Sequence, residues 1–239
     1  MPPGTPLWFS LRLQAGQPGV VRVEGRELDS RIDPVLTVFE GPDREVESSR
    51  RGWVEVDATR DGTWLVRLHD ITFRGGDEYG FRVSATTGPR VDFVWPQAVR
   101  VGATNRLTLL GRHWEGAQAT SLRGLDGRPL EAVEREVVVP ADPAAAARPG
   151  GVRLASTAVP GWWWETPGEP GGVPRFLAFE TETHVVRAAP GSTAVVDVRP
   201  PCEYWGFFGA RSEWGGVRFP ARKGEVWWVE VQSERLGYT

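Results

Sequence analysis

The chain has few of the residues on which most metal and thiol chemistry depends. Cys202 is the single cysteine, and only three of the 239 residues are histidine. One cysteine excludes an intramolecular disulfide, and no Cys/His cluster occurs at the spacing of a zinc site. Cys202 follows two prolines with no histidine nearby, so we expect a buried, inert thiol and not a nucleophile.

The usual signatures of a hydrolase are also missing. Neither G-x-S-x-G nor H-E-x-x-H occurs in the sequence. Nucleophilic catalysis needs a hydroxyl or thiol, a base and an orienting acid close together. His69 and His184 lie inside strand-like segments, and His113 stands apart from both. We therefore expect no catalytic residues and predict that the protein is not an enzyme.

Lysine and net charge are scarce as well. Lys223 is the only lysine among 28 basic residues, and the net charge is −3. So small a charge gives no reason to expect nucleic acid or an anionic membrane as a partner. No apolar run approaches the roughly 20 residues of a membrane span. The first residues, MPPGTPLWF, lack the basic and apolar regions of a signal peptide.

Glycine and proline, by contrast, are abundant, with 29 and 20 residues. Turn residues separate short segments in which apolar and polar residues alternate, which is typical of a β-sandwich or barrel. The segments predicted as strands in the first part are Leu7 to Leu13, Val20 to Glu24, Val35 to Glu40, Trp53 to Asp57, Thr63 to His69 and Tyr79 to Ala85. Tryptophans in such segments, Trp8 among them, are expected in the core.

The end of the chain repeats its beginning. At an offset of 208 residues Gly16 aligns with Gly224, Val21 with Val229 and Val23 with Val231. We therefore expect KGEVWWVEV to form a strand, with the adjacent Trp227 and Trp228 on opposite faces of a sheet. The repeat also predicts a modular array, of which this chain begins inside one module and ends inside another.

Particular motifs carry a resemblance to known modules. Residues 8–87 resemble the bacterial pre-peptidase C-terminal (PPC) domain, through AGQ, IDP before VLTVFE, DGTWLVRL and YGFRVSA. Residues 181–239 resemble the opening half of the same module. The middle is similar to IPT/TIG immunoglobulin-like domains, through Pro96, Gly102 and the segment RLTLLG.

The resemblance implies an all-β chain of tandem β-sandwiches, with jelly-roll-like PPC modules flanking an Ig-like domain. The expected boundaries are 1–87, 88–180 and 181–239. Such modules imply an extracytoplasmic region that aids secretion, anchoring or binding and has no catalytic centre. We accordingly expect a binding or spacer region that presents loops and edge strands to a protein or a surface.

Three consecutive tryptophans favour an alternative function. Trp162, Trp163 and Trp164 lie in a segment rich in glycine and proline, which predicts a loop. Exposed rings in a row could stack on sugars, as in a carbohydrate-binding region of a secreted hydrolase or peptidase. The same rings could instead fill the junction between two modules.

Two further hypotheses concern calcium and self-association. Asp70, Asp77 and Glu78 flank Gly75-Gly76 in one loop, and calcium needs only clustered oxygen atoms. Solvated turn acids are the alternative. Because open sheet edges are templates for pairing, residues 181–215 are expected to dock on the 1–87 sheet, in the same chain or in a neighbour.

Overall fold

The structure is a computed structural model that describes residues 2–25, 28–142, 161–164, 175–180, 184–190, 192–206 and 215–231. These residues form strands β1 to β18, and no α-helix occurs among them, so the all-β prediction is confirmed. In this part of the chain no helix is long and apolar enough to cross a membrane. The chain forms two compact units, and the second begins at Val91.

The first unit is a β-sandwich of a four-stranded and a three-stranded sheet. The larger sheet contains, in spatial order, β1 (Leu7–Leu13), β6 (Gly62–Asp70), β3 (Pro34–Glu40) and β4 (Arg44–Ser49). The smaller sheet contains β5 (Trp53–Asp57), β2 (Pro18–Glu24) and β7 (Arg82–Thr86). Every pairing in both sheets is antiparallel.

Alternation along the strands builds the core of this sandwich. Leu36 and Val38 of β3 lie opposite Leu68 and Val66 of β6, and each is at most 1% exposed. Successive strand residues point to opposite faces, so each strand turns every second side chain inward. Each fully buried aliphatic side chain of this kind contributes about 1.5–3 kcal/mol.

Trp8 is an exception to the expected burial of strand tryptophans. It is 50% exposed, because its neighbours Leu7 and Phe9 take the inward positions of β1. The Arg67 guanidinium lies 5.9 Å from the Trp8 ring centre and 5.1 Å from that of Phe39. The prediction that Trp8 is a core residue is therefore wrong. Trp64, another strand tryptophan, is 2% exposed and does lie in the core.

The second unit holds two sheets that share a core. One contains β11 (Gln118–Arg123), β12 (Pro129–Val138), β10 (Thr104–Arg112) and β8 (Arg90–Trp95). The other contains β13 (Gly161–Trp164), β14 (Arg175–Phe179) and β9 (Ala98–Val99). Leu107, Leu109 and Leu177 are fully buried between neighbouring strands.

Four short strands near the end pair with one another inside this second unit. β15 (Val185–Arg187) runs parallel to β17 (Glu203–Trp205), and β16 (Val195–Asp197) runs parallel to β18 (Gly216–Arg218). The expected docking of residues 181–215 on the 1–87 sheet, in the same chain or in a neighbour, stays a prediction. The predicted boundary between residues 180 and 181 stays a prediction.

Candidate functional site

A tight turn follows β1 and connects it to β2. Gly16 has a φ of 79°, which favours glycine because a Cβ atom crowds the backbone there. The Gln17 N–H donates to the Gln14 carbonyl at 2.9 Å. The Gln14 N–H donates to the Gln17 side-chain oxygen at 3.0 Å. These two hydrogen bonds close the turn within four residues.

The same turn occurs 208 residues later. Gly224 has a φ of 93°, and the Glu225 N–H donates to the Arg222 carbonyl at 3.1 Å. The Arg222 N–H donates to the Glu225 carboxylate at 2.8 Å. The repeat seen in the sequence thus extends to the backbone and to its hydrogen bonds, although different residues form the turn.

The two copies differ after the turn. In the first copy β2 lies between β5 and β7, and its Val21 and Val23 are 2% and 5% exposed. Their counterparts Val229 and Val231 are 72% and 86% exposed. Among the described residues, none from 219 to 231 belongs to a strand.

The prediction of a strand over KGEVWWVEV is therefore wrong, since all nine residues are described and none lies in a strand. A strand in the middle of a sheet needs partners on both edges, and β2 obtains them from β5 and β7. No described strand takes these positions beside the second copy. The segment does alternate apolar and polar residues. Alternation indicates that one face of a strand can be buried, but it does not indicate which strands would pair with it.

We name residues Val226–Val231 the C-terminal segment. Val226 and Trp228 are 96% and 90% exposed. Trp227 is 41% exposed and packs edge-on against Phe219, with ring centres 5.0 Å apart. The adjacent tryptophans thus differ in burial. Five of the six residues are apolar and exposed, and so concentrated an apolar surface is typical of a site that another surface covers.

The predicted tryptophan row lies in strand β13 and not in a loop. Trp164 is 7% exposed in the core of the second unit, and Trp162 packs against the same core. The two rings share a face because alternate strand residues point the same way. The prediction of an exposed stacking platform is therefore wrong for Trp164. The side chain of Trp163 lies outside the described residues.

Asp70, the first predicted calcium ligand, is surrounded by hydrogen-bond donors. One carboxylate oxygen accepts from the Asp33 N–H at 3.0 Å. The other accepts from the Thr72 N–H at 2.9 Å, the Thr72 hydroxyl at 2.7 Å and the Arg74 N–H at 3.2 Å. Burial raises the pKa of Asp70, but these hydrogen bonds outweigh it and lower the pKa to about 2.

Asp77 and Glu78 lie on the exposed surface after Gly75-Gly76. The Glu78 carboxylate pairs with Arg31 at 2.9 Å, and both side chains are more than half exposed. The oxygens of Asp70 and Glu78 therefore already have partners within the protein, and Asp70 acts as the cap of its own loop. Calcium binding at these residues stays a prediction.

Comparisons with known proteins leave the family open. No family model and no curated protein matches the chain. Among solved structures, the chain is similar to that of PliG from Aeromonas hydrophila, a periplasmic lysozyme inhibitor of g-type lysozyme. The two share 17% identity, and the match covers 34% of this chain and 74% of PliG with a TM-score of 0.28.

Proposed function

We propose that this chain is a non-enzymatic, modular binding region that associates with protein by strand addition. The C-terminal segment is the donated strand, and a second copy of this chain is the partner that accepts it. The observation that carries the proposal is the contrast between buried Val21 and Val23 in β2 and exposed Val229 and Val231 at the equivalent positions. The extracytoplasmic location rests on the resemblance to PPC and TIG modules.

The first copy indicates which neighbours this sequence pattern takes. Val21 lies opposite Val54 of β5 on one side and Ala85 of β7 on the other. Val23 lies opposite Val83 of β7. A segment with valines at the same spacing therefore suits an antiparallel partner that carries small or β-branched residues.

Such a partner is present in every copy of the chain. In the part of the chain that the structure describes, the sheet order is β5-β2-β7, and β5 and β7 each have one edge without a strand partner in that sheet. Unpaired edges accept an added strand through main-chain hydrogen bonds. Arg82 of β7 is half exposed, lies 3.6 Å from Glu24 and is opposite in charge to Glu230, so we take the edge of β7 as the acceptor.

The energy balance indicates an equilibrium and not a permanent complex. Burying Val229 and Val231 yields about 1.5–3 kcal/mol each. Fixing the backbone of a free segment costs about 1–2 kcal/mol per residue. For six residues the cost is about 6–12 kcal/mol against a gain of about 3–6 kcal/mol from the two valines, so net association depends on the added hydrogen bonds and on Trp228. We expect an association that rises with protein concentration.

The pairing would also be directional. The donated segment belongs to the second unit and the accepting edge to the first, so each copy would use two different surfaces. A heterologous contact of this kind makes open chains unless the rotation closes a ring. A distribution of dimers and longer species is therefore expected.

The test is light scattering after size-exclusion chromatography, over protein concentrations from about 1 µM to about 1 mM. The wild-type mass should rise with concentration. Val229→Lys combined with Val231→Lys should keep the protein monomeric, because charge on an added strand opposes its burial. The matched control is Leu125→Lys combined with Val138→Lys. These two apolar residues lie outside the C-terminal segment and are 66% and 69% exposed.

Hydrogen exchange at the highest concentration identifies the contact. Amides of the C-terminal segment and of β7 should become protected together in the wild type and stay unprotected in the double lysine variant. A wild-type protein that is monomeric throughout the range would refute the second copy as partner. If the control variant were as monomeric as the Val229→Lys, Val231→Lys variant, the C-terminal segment would be refuted as the donated strand.

The carbohydrate-binding alternative loses its main support. It needed three exposed rings in a row, and Trp164 lies in the core.

A further inference from the structure

The second unit contains a cavity whose polar lining is mainly basic. Its volume is about 330 Å³, and the described residues that line it include three arginines and no acid. Arg100 follows β9, Arg106 lies in β10 and Arg187 ends β15. We name it the arginine cavity. The remaining lining residues are Pro96, Ala103, Thr104 and Asn105.

One buried carboxylate serves two of these three arginines. Glu180, whose side chain is 4% exposed, contacts the Arg187 guanidinium and lies 3.6 Å from that of Arg100. Glu180 thus lies between two positive charges, and Glu203 places a second negative charge near Arg187. Burial lowers the pKa of Arg187 and the nearby charge of Arg100 lowers it further, whereas the charge of Glu203 raises it by a smaller amount. The effect of Arg100 is the repulsion which a bound anion would relieve.

Arg106 adds a third positive charge at the rim. Its guanidinium is 3.8 Å from Glu134 and 3.9 Å from Glu136, and all three side chains are about two-thirds exposed. Exposed pairs at such distances contribute little and exchange readily with solvent. Arg106 can therefore turn toward a ligand at small cost.

The loop that carries Arg100 is held by its own hydrogen bonds. The Asn105 side-chain oxygen accepts from the Arg100 N–H at 2.8 Å. The Asn105 amide nitrogen donates to the carbonyls of Arg100 and Ala103, both at 3.0 Å. The backbone of this wall is thus fixed before any ligand arrives, which reduces the entropy lost on binding.

We propose that the arginine cavity binds a molecule of monosaccharide size that carries a carboxylate, phosphate or sulfate group. Guanidinium groups donate paired hydrogen bonds whose geometry matches these oxyanions. Pockets that bind small organic molecules have volumes from about 300 Å³ upward. The arginine cavity has this size and is larger than a lone inorganic ion needs. Arg187 and Arg100 hold the acidic group, and Arg106 covers it from the rim.

Calorimetric titration tests this with four probes: glucuronate, glucose 6-phosphate, glucose 6-sulfate and neutral glucose. At least one acidic sugar should bind while glucose does not, and the order among the three acids identifies the group preferred. Binding should weaken as salt rises, because the contact is between charges. Glucose that binds as well as every acid, or no binding by any acid, would overturn the proposal.

Substitutions locate the site. Arg187→Gln should weaken binding about tenfold or more, as expected for the loss of a charge-assisted hydrogen bond. Arg106→Gln should weaken it several-fold without affecting the fold, since its side chain is 69% exposed. Arg222→Gln removes the same charge from an exposed position outside the cavity and serves as the matched control. Equal effects of Arg106→Gln and Arg222→Gln would refute the cavity as the site.

Discussion

Asp70 is the buried group whose removal should change stability in the most specific way. Substitution by asparagine keeps the shape of the side chain but removes its charge. It also replaces one oxygen by an NH₂ group, which then faces an N–H of Asp33 or the donors of Thr72 and Arg74. We expect the first unit to lose stability, because two donors that face each other leave both without an acceptor.

The magnitude follows from the pKa of Asp70, which lies at about 2 instead of the usual 3.8. At about 1.4 kcal/mol per pKa unit, the folded state favours the ionised carboxylate by roughly 2.5 kcal/mol. Because the folded pKa is the lower one, this contribution is complete above pH 3.8 and is lost as the pH falls toward 2. Asp70→Asn should therefore cost about 2–3 kcal/mol at pH 7 and much less near pH 2.

Urea unfolding at several pH values measures the effect. Samples are moved to one fixed pH for a brief hydrogen-exchange pulse, and peptides from β3 and β6 report the first unit separately. Asp77→Asn, the same substitution on an exposed loop, is the control and should change stability by less than about 0.5 kcal/mol. Equal effects of the two variants at pH 7, or a cost for Asp70→Asn that stays constant down to pH 2, would refute the argument.

Two further predictions use the same unfolding assay. Trp164→Ala should destabilise the second unit by about 3–5 kcal/mol because it opens a cavity, whereas Trp228→Ala should change it by less than about 0.5 kcal/mol; similar effects would contradict the burial that separates them. Gly16→Ala should cost the first unit about 1–2 kcal/mol, since alanine is strained at a φ of 79°. Gly224→Ala, with no paired strand after it among the described residues, should leave the second unit unchanged, and an equal loss there would show that the segment is already part of a sheet.

The sequence predicts the strands of the first sandwich wherever one face is apolar. β3 and β6 were predicted within one or two residues, because their valines and leucines alternate with polar residues. β4 was missed, since its sequence REVESS shows no apolar face. Its strand conformation comes from pairing with β3, which is a property of the hairpin and not of the six residues alone.

Pairing also explains the failures near the end of the chain. The sequence around β13 is rich in glycine and proline and therefore predicted a loop, whereas β13 is a strand that pairs with β14. For the C-terminal segment the error is the reverse. Its sequence pattern predicts a strand, but no described strand pairs with it. Local pattern indicates which residues can form a strand, and only the partner decides whether they do.

The arginine cavity could not be predicted from the sequence. Arg100, Arg106 and Arg187 are three of 27 arginines, and the third is far from the others in the chain. Only the packing of the loop after β9 near the end of β15 brings the three together.

The turn at Gly16 has a consequence for the order of folding. Two of its hydrogen bonds join Gln14 and Gln17, so these two can form as soon as those residues have left the ribosome, whereas the hydrogen bonds of the turn to Ala58 and Asp61 form later. Contacts this local form within microseconds, whereas β2 must await β5 and β7, which are synthesised later. The local part of the turn would thus bring the nascent β2 back toward β1 before the sheet that contains β2 has formed.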